Sequence, residues 1–250
     1  MKIGRSVWCG IGIGGCIVLW QIVVMYSGIS PRFLPDPLSV LDALARNWEL
    51  VFVNALTTLF EALLGLCISI VLGVLLAIGI DASERIKHVF SPILVLSQTI
   101  PIMALAPLLL VWFGFGTSPK VIIVVLYCFF PVTLAMSEGL GSLNKDILFL
   151  LKSMHATRAQ ILLKAKLPAS MPFFMAGLSI SVVYAIAAAI VGEFVGGYRG
   201  LGIVMLQAAN SHRIDLLFAL IIFSSCMSFV LYLLVILLRK KIIPWEYRQI

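Results

Sequence analysis

Six long apolar stretches constrain the fold of this 250-residue sequence more than any other feature. A helix needs about 20 mainly apolar residues to cross the hydrocarbon core of a bilayer. Because only 12% of the residues are charged, against about a quarter in soluble domains, a soluble enzyme is excluded. The sequence predicts an all-α membrane protein, a single transmembrane domain over residues 1–250, with about six transmembrane helices. The predicted spans cover about residues 7–27, 50–80, 89–113, 120–137, 173–195 and 216–238.

The distribution of charge predicts the topology. The 18 Lys and Arg residues outnumber the 11 Asp and Glu residues, which gives a net charge of +7. The excess lies in the N-terminus, in 81–88, in 138–172 and in the C-terminus. Since cytoplasmic loops of membrane proteins carry an excess of Lys and Arg, we expect both termini in the cytoplasm. The basic charge therefore indicates sidedness and not a nucleic-acid surface.

The sequence contains no motif for chemistry by this chain alone. It has no GxxxxGKS/T loop, whose backbone N–H groups and lysine would hold ATP. The five cysteines lie in apolar stretches and form no CxxC pair, so buried packing is favoured over a metal site. We expect no bound cofactor, no metal and no catalytic residue in this chain.

One face of the second span is polar. Asn54, Thr57, Thr58 and Glu61 follow one another at i, i+3, i+4 and i+7, a spacing that places them on the same side of a helix. A charge at the bilayer centre costs about 2.5–3.5 kcal/mol on insertion scales. This face is therefore predicted to point into the protein. Two roles for Glu61 stay open: a place on a transport pathway, or a contact that only packs helices.

The third span contains a predicted break. Pro101 removes one backbone N–H and clashes with the carbonyl of residue 97. Gln98 and Thr99 lie next to this position. Transporters build midplane sites from such broken helices, although a simple structural kink is the alternative. Pro131 acts in the same way in the fourth span and frees the carbonyl of Tyr127.

The segment 144–168, hereafter the 144–168 loop, predicts a helix–turn–helix outside the membrane. Asp146 can cap a first helix that runs to about Met154, and Thr157–Gln160 is a capping box for a second short helix. Pro168 and Pro172 are expected to stop that second helix. Its apolar residues need a partner surface, for which an ATPase groove and an anionic lipid surface are the candidates. These residues are Ile161, Leu162 and Ala165.

The sequence reads Ser-Met-His-Ala-Thr-Arg at 153–158 and Lys-Leu-Pro at 166–168. Together these two segments resemble the coupling loop of ABC importer permeases. His155 stands where that family has glycine, so either the coupling geometry differs or His155 adopts an unusual φ. The resemblance assigns contact with the ATPase to Met154, His155, Ala156, Thr157, Arg158, Leu167 and Pro168.

Two further segments narrow the resemblance. Phe-Leu-Pro-Asp-Pro at 33–37 looks like the outer loop of the nitrate, sulfonate and taurine permeases. Ser-Gln-Thr-Ile-Pro-Ile at 97–102 and Trp-Phe-Gly-Phe-Gly at 112–116 are similar to permeases for thiamine pyrimidine precursors. A riboflavin permease branch looks alike, so riboflavin, alkanesulfonates, taurine and nitrate remain alternative substrates.

The resemblance implies an assembly in a bacterial inner membrane. It would contain two permease copies, two ATPase subunits that bind ATP-Mg, and an extracytoplasmic solute-binding protein. The predicted substrate pathway comprises Asn54, Thr57, Glu61, Gln98, Thr99, Pro101, Tyr127 and Tyr184. A different class is a proton-coupled secondary transporter that uses Glu61. Against it, we find no internal repeat and count Glu61 as the only ionisable residue within the spans.

Overall fold

The computed structural model describes residues 3–30 and 32–244, and the regular elements in these two ranges are helices. The chain ends, to which the prediction of cytoplasmic termini refers, lie outside the described residues. The elements are α1 (Ile3–Tyr26), α2 (Pro37–Arg46), α3 (Trp48–Asp81), α4 (Glu84–Ser97), α5 (Ile102–Phe113), α6 (Thr117–Gly141), α7 (Lys145–Ser153), α8 (Arg158–Ile161), a π turn (Leu162–Lys166), α9 (Leu167–Gly196), α10 (Leu201–Asn210) and α11 (Ile214–Ile242).

Four helices in the described ranges are long and apolar enough to cross a membrane: α3, α6, the run Arg158–Gly196 and α11. A fifth crossing results if α4 and α5 together form one broken span, and α1 contains the apolar stretch Gly14–Tyr26. The 34 residues of α3 extend over about 51 Å at 1.5 Å per residue. Because the hydrocarbon core is about 30 Å thick, α3 must tilt or protrude. The all-α membrane fold is confirmed.

The centre of the bundle is formed by α3, α6 and α9, which pack against one another, and α11 packs on α9. Small residues permit this close approach. A Cβ atom added to Gly177 of α9 would lie 2.6 Å from the Ala135 Cβ and 2.6 Å from the Pro131 carbonyl oxygen of α6. The abundance of small residues in α9 thus reflects tight contact between helices, as in other membrane bundles.

The predicted break in the third span is present. The axes of α4 and α5 meet at 92°, with residues 98–101 between them. Pro101 has an extended conformation (φ −68°, ψ 102°) at the start of α5. The missing N–H of proline and its steric demands on the preceding residue end α4 there. We call residues 97–101 the elbow.

The structure corrects the predicted end of the second loop helix. Pro168 and Pro172 do not stop it, because α8 continues through the π turn into α9. In the π turn the Leu167 N–H donates to the Leu162 carbonyl, five residues back. Pro168 is the second residue of α9, directly after this π turn.

The cap of α7 also differs from the prediction. Asn144, and not Asp146, is the N-cap residue, and its side-chain oxygen accepts a hydrogen bond from the Asp146 N–H at 2.9 Å. Asp146 lies inside the first turn, where its negative charge interacts favourably with the positive end of the helix dipole. The predicted capping box at Thr157 is confirmed, since Thr157 and Gln160 exchange both side-chain-to-backbone bonds.

Candidate functional site

The polar face of α3 points into the protein, as predicted. Thr58 and Glu61 are buried, with 0% and 1% of their surface exposed. Asn54 and Thr57 are half-buried, and Thr57 donates to the carbonyl of Val53 in the preceding turn. The face continues through small buried residues from Gly65 to Ala77, near the C-terminal end of the helix.

Glu61 has a partner that the sequence analysis missed. The Lys120 ammonium of α6 donates to Glu61 Oε1, and Lys120 is 4% exposed. The carboxylate of Glu193 in α9 is fully buried and interacts electrostatically with both groups. The expectation of a single ionisable residue within the spans was therefore wrong. Lys120 begins the predicted span 120–137, and Glu193 lies within the predicted span 173–195, so the predicted bounds already contained the signal that could have revealed them.

Glu193 also binds the beginning of α10. Its Oε2 accepts the Gly202 N–H at 2.5 Å. The Thr58 hydroxyl donates to Glu193 Oε1 at 2.7 Å and accepts the Leu201 N–H at 2.9 Å. Asn54 Oδ1 accepts the Gly200 N–H at 2.8 Å. The first N–H groups of a helix lack partners within it, and here side chains of α3 and α9 supply them.

We name Asn54, Thr58, Glu61, Lys120 and Glu193 the interior polar cluster. It contains two carboxylates, which are balanced by one ammonium group and by the positive end of the α10 dipole. Among the residues that the structure describes, Glu61 Oε2 has no hydrogen-bond partner. The cluster ties α3, α6, α9 and α10 together, which is the packing role that the sequence analysis left open for Glu61. Its place on a transport pathway stays a prediction.

The remaining predicted pathway residues lie elsewhere. Gln98, Thr99 and Pro101 are exposed at the elbow. Tyr127 of α6 is half-buried against the core, and Tyr184 of α9 is 48% exposed. The structure thus distributes the predicted pathway over the interior polar cluster, the elbow and two separate tyrosines.

The turn of the 144–168 loop is fixed by backbone hydrogen bonds. His155 has φ 58°. Its N–H donates to the Lys152 carbonyl, and the Ala156 N–H donates to the Leu151 carbonyl. This pair of bonds defines a Schellman motif, in which the residue after the helix takes the left-handed conformation that glycine favours. His155 therefore adopts a left-handed conformation at a steric cost, as one of the two expected outcomes for this position required.

The apolar residues that need a partner are not those expected. Ile161 is buried, and Leu162 packs on a core cluster that contains Met136. The exposed apolar side chains of the loop are instead on α7, at its end and in the π turn. They are Ile147, Phe149 (73% exposed), Leu150, Met154 and Leu163.

A family model described as "Binding-protein-dependent transport system inner membrane component" matches residues 69–244. The chain belongs to this family. The match extends from the middle of α3 to the end of the described chain, so it includes the elbow, the 144–168 loop and two members of the interior polar cluster, Lys120 and Glu193.

Curated relatives place this family member among ABC transporter permeases. A probable ABC transporter permease protein of Haemophilus influenzae is 37% identical over 88% of this chain and 90% of its own length. The formylaminopyrimidine transport permease protein ThiX of Halalkalibacterium halodurans is 34% identical over 93% of each chain. The chain is thus an importer permease subunit and not an enzyme. Neither relative supports a proton-coupled secondary transporter.

A solved structure shares the fold. A chain of the MetNI methionine ABC transporter, in inward-facing conformations, matches with a TM-score of 0.62 at 18% identity. The match covers 81% of this chain and 97% of the other. This chain therefore shares its helical fold with that transporter chain.

Proposed function

We propose that two copies of this chain form the membrane pathway of an ATP-driven importer for a small pyrimidine, such as a thiamine precursor. The observation that carries this proposal is the 34% identity, over 93% of both chains, to a permease named for formylaminopyrimidine. An extracytoplasmic binding protein would deliver the solute, and two ATPase subunits with ATP-Mg would supply the energy.

The chemistry of the predicted pathway supports such a substrate. An aminopyrimidine carries ring nitrogens that accept hydrogen bonds and an amino group that donates them. Gln98 and Thr99 at the elbow offer both kinds of group, and they are exposed in the single chain. Tyr127 and Tyr184 offer aromatic faces for the ring. A second copy would provide the same set across a shared pathway.

The 144–168 loop supports coupling to an ATPase. The Schellman motif at His155 and the capping box at Thr157 join α7 and α8 without a flexible linker. The loop would therefore move as a unit, with the exposed Phe149 and Met154 seated in an ATPase groove. On this proposal, the loop and both chain termini would lie on the cytoplasmic side of a bacterial inner membrane.

The test is ligand-stimulated ATP hydrolysis by the permease, its ATPase and its binding protein in liposomes. We expect stimulation by formylaminopyrimidine and no stimulation by riboflavin, taurine, alkanesulfonates or nitrate. Gln98→Ala should weaken the stimulation. Gln207→Ala is the control, because it removes an exposed glutamine of α10, away from the elbow, and it should leave the stimulation unchanged. Stimulation by a different compound would identify that compound as the substrate in place of the pyrimidine. If the permease did not associate with an ATPase, the proposed importer function would be refuted.

A further inference from the structure

A cavity of about 350 Å³ lies between the C-terminal end of α3 and the 144–168 loop. Its floor is apolar and includes Ile78 of α3 and Leu148 of α7. Its polar wall contains three cationic side chains and one carboxylate. These are Lys152, Arg158, Lys166 and Asp81.

The charges of this cavity are unbalanced. Lys166 Nζ donates to both carboxylate oxygens of Asp81, at 2.6 and 2.7 Å. This ion pair accounts for the negative charge. Within the described residues, the side chains of Lys152 and Arg158 have no hydrogen-bond or ion-pair partner. The cavity therefore has a surplus of two positive charges for an anionic group of small volume.

An exposed apolar stripe of α3 leads to the same cavity. Ile68, Val71, Leu72 and Leu75 are all exposed, Leu75 to 61%. Their spacing of i, i+3, i+4 and i+7 places them on one side of the helix. The cavity residues Ile78 and Ala82 continue that side at its C-terminal end. Since α3 is long and apolar enough to span a membrane, lipid acyl chains could lie along this exposed stripe.

We propose that the cavity binds the phosphate headgroup of an anionic phospholipid, whose acyl chains lie along the stripe. Basic pockets between helices at the cytoplasmic side are suited to anionic headgroups. Arg158 can hold two phosphate oxygens through its planar guanidinium, and Lys152 adds a point charge. The apolar stripe distinguishes a lipid from free phosphate, which would use only the cationic wall. The bound headgroup would connect the 144–168 loop to α3, next to the Asp81–Lys166 ion pair.

The test measures lipid retained by the permease–ATPase complex. The complex is extracted from vesicles that contain equal amounts of phosphatidylglycerol and phosphatidylcholine. Its bound lipids are then counted by native mass spectrometry. We expect selective retention of phosphatidylglycerol. Lys152→Gln should lower this retention about fivefold, the factor that corresponds to about 1 kcal/mol for one cationic side chain. Lys152→Arg should restore it.

Lys145→Gln is the matched control, because Lys145 is an exposed lysine of the same helix that does not line the cavity. It should leave retention unchanged. Equal loss in Lys145→Gln and Lys152→Gln would overturn the site in favour of general surface charge. Retention by the permease alone, lost when the ATPase binds, would overturn it in favour of an ATPase segment. Displacement of the retained lipid by inorganic phosphate alone would assign the cavity to free phosphate.

Discussion

The Glu61–Lys120 ion pair gives the sharpest prediction about stability. In Lys120→Met the ammonium group is lost, and the Glu61 carboxylate remains 1% exposed without its opposite charge. Removal of one partner of a buried ion pair costs about 3–5 kcal/mol, because it leaves a charge in a medium of low dielectric constant. For chains of 150–250 residues, 1 kcal/mol corresponds to about 2–4 °C in Tm. We expect Tm to fall by about 6–20 °C.

The double variant Glu61→Met with Lys120→Met separates charge from packing. Both side chains become apolar at similar volume, and such replacements of buried pairs are often neutral or stabilising. Glu193 keeps its bonds from Thr58 and Gly202. The double variant should therefore recover most of the lost stability, although each single variant is destabilised.

Thermal unfolding of the purified chain in detergent, followed by tryptophan fluorescence, measures this effect. Lys145→Met is the control, because it removes an exposed lysine and should change Tm little. Two results would refute the reasoning: a Lys120→Met variant as stable as wild type, or a double variant as unstable as the single one.

Three further predictions concern local structure. His155→Gly should raise Tm by a few degrees in the same assay. Glycine adopts φ 58° without the cost of about 1–2 kcal/mol that other residues pay for the left-handed conformation. A lower Tm would show that His155 is not strained. Gly177→Ala should lower Tm, since its Cβ would lie 2.6 Å from neighbouring atoms. Gly79→Ala serves as the control, because no other described atom lies within 4 Å of its added Cβ. The hydrogen bond from the Ser39 hydroxyl holds the pKa of the Asp36 carboxyl below its ordinary value. The Asp36 cap therefore stabilises α2 fully above the unfolded-state pKa of this carboxyl. Its contribution is lost as the pH falls through the folded-state pKa. The α2 amides should lose protection from hydrogen exchange on acidification, after correction for intrinsic rates. In Asp36→Ala their exchange should be fast at every pH. Protection that does not depend on pH in the wild type would refute the role of the Asp36 cap.

Local patterns in the sequence were sufficient for several features of the site. The i, i+3, i+4, i+7 spacing of Asn54 to Glu61 predicted an inward face, because one helix determines which side chains share a side. Pro101 predicted the elbow, since proline acts on its own turn of helix. The capping box at Thr157 likewise involves only four consecutive residues.

Features that depend on neighbouring helices were not predictable in this way. Glu61 and Lys120 are 59 residues apart, and Thr58 and Glu193 are 135 apart. Periodicity within one span contains no information on which spans adjoin, so Lys120 and Glu193 were missed as partners of the polar face of α3. The rule that proline ends a helix failed at Pro168 for a different reason: the π turn before it realigns the hydrogen bonds.

The most direct test of the proposed function is uptake of isotopically labelled formylaminopyrimidine into liposomes that contain the permease and its ATPase, with the binding protein on the outer side. We expect accumulation that requires internal ATP and the binding protein, and that persists without a proton gradient. We also expect that Arg158→Glu, in the 144–168 loop, abolishes uptake while ATP hydrolysis continues. Accumulation driven by a proton gradient without ATP would contradict the account.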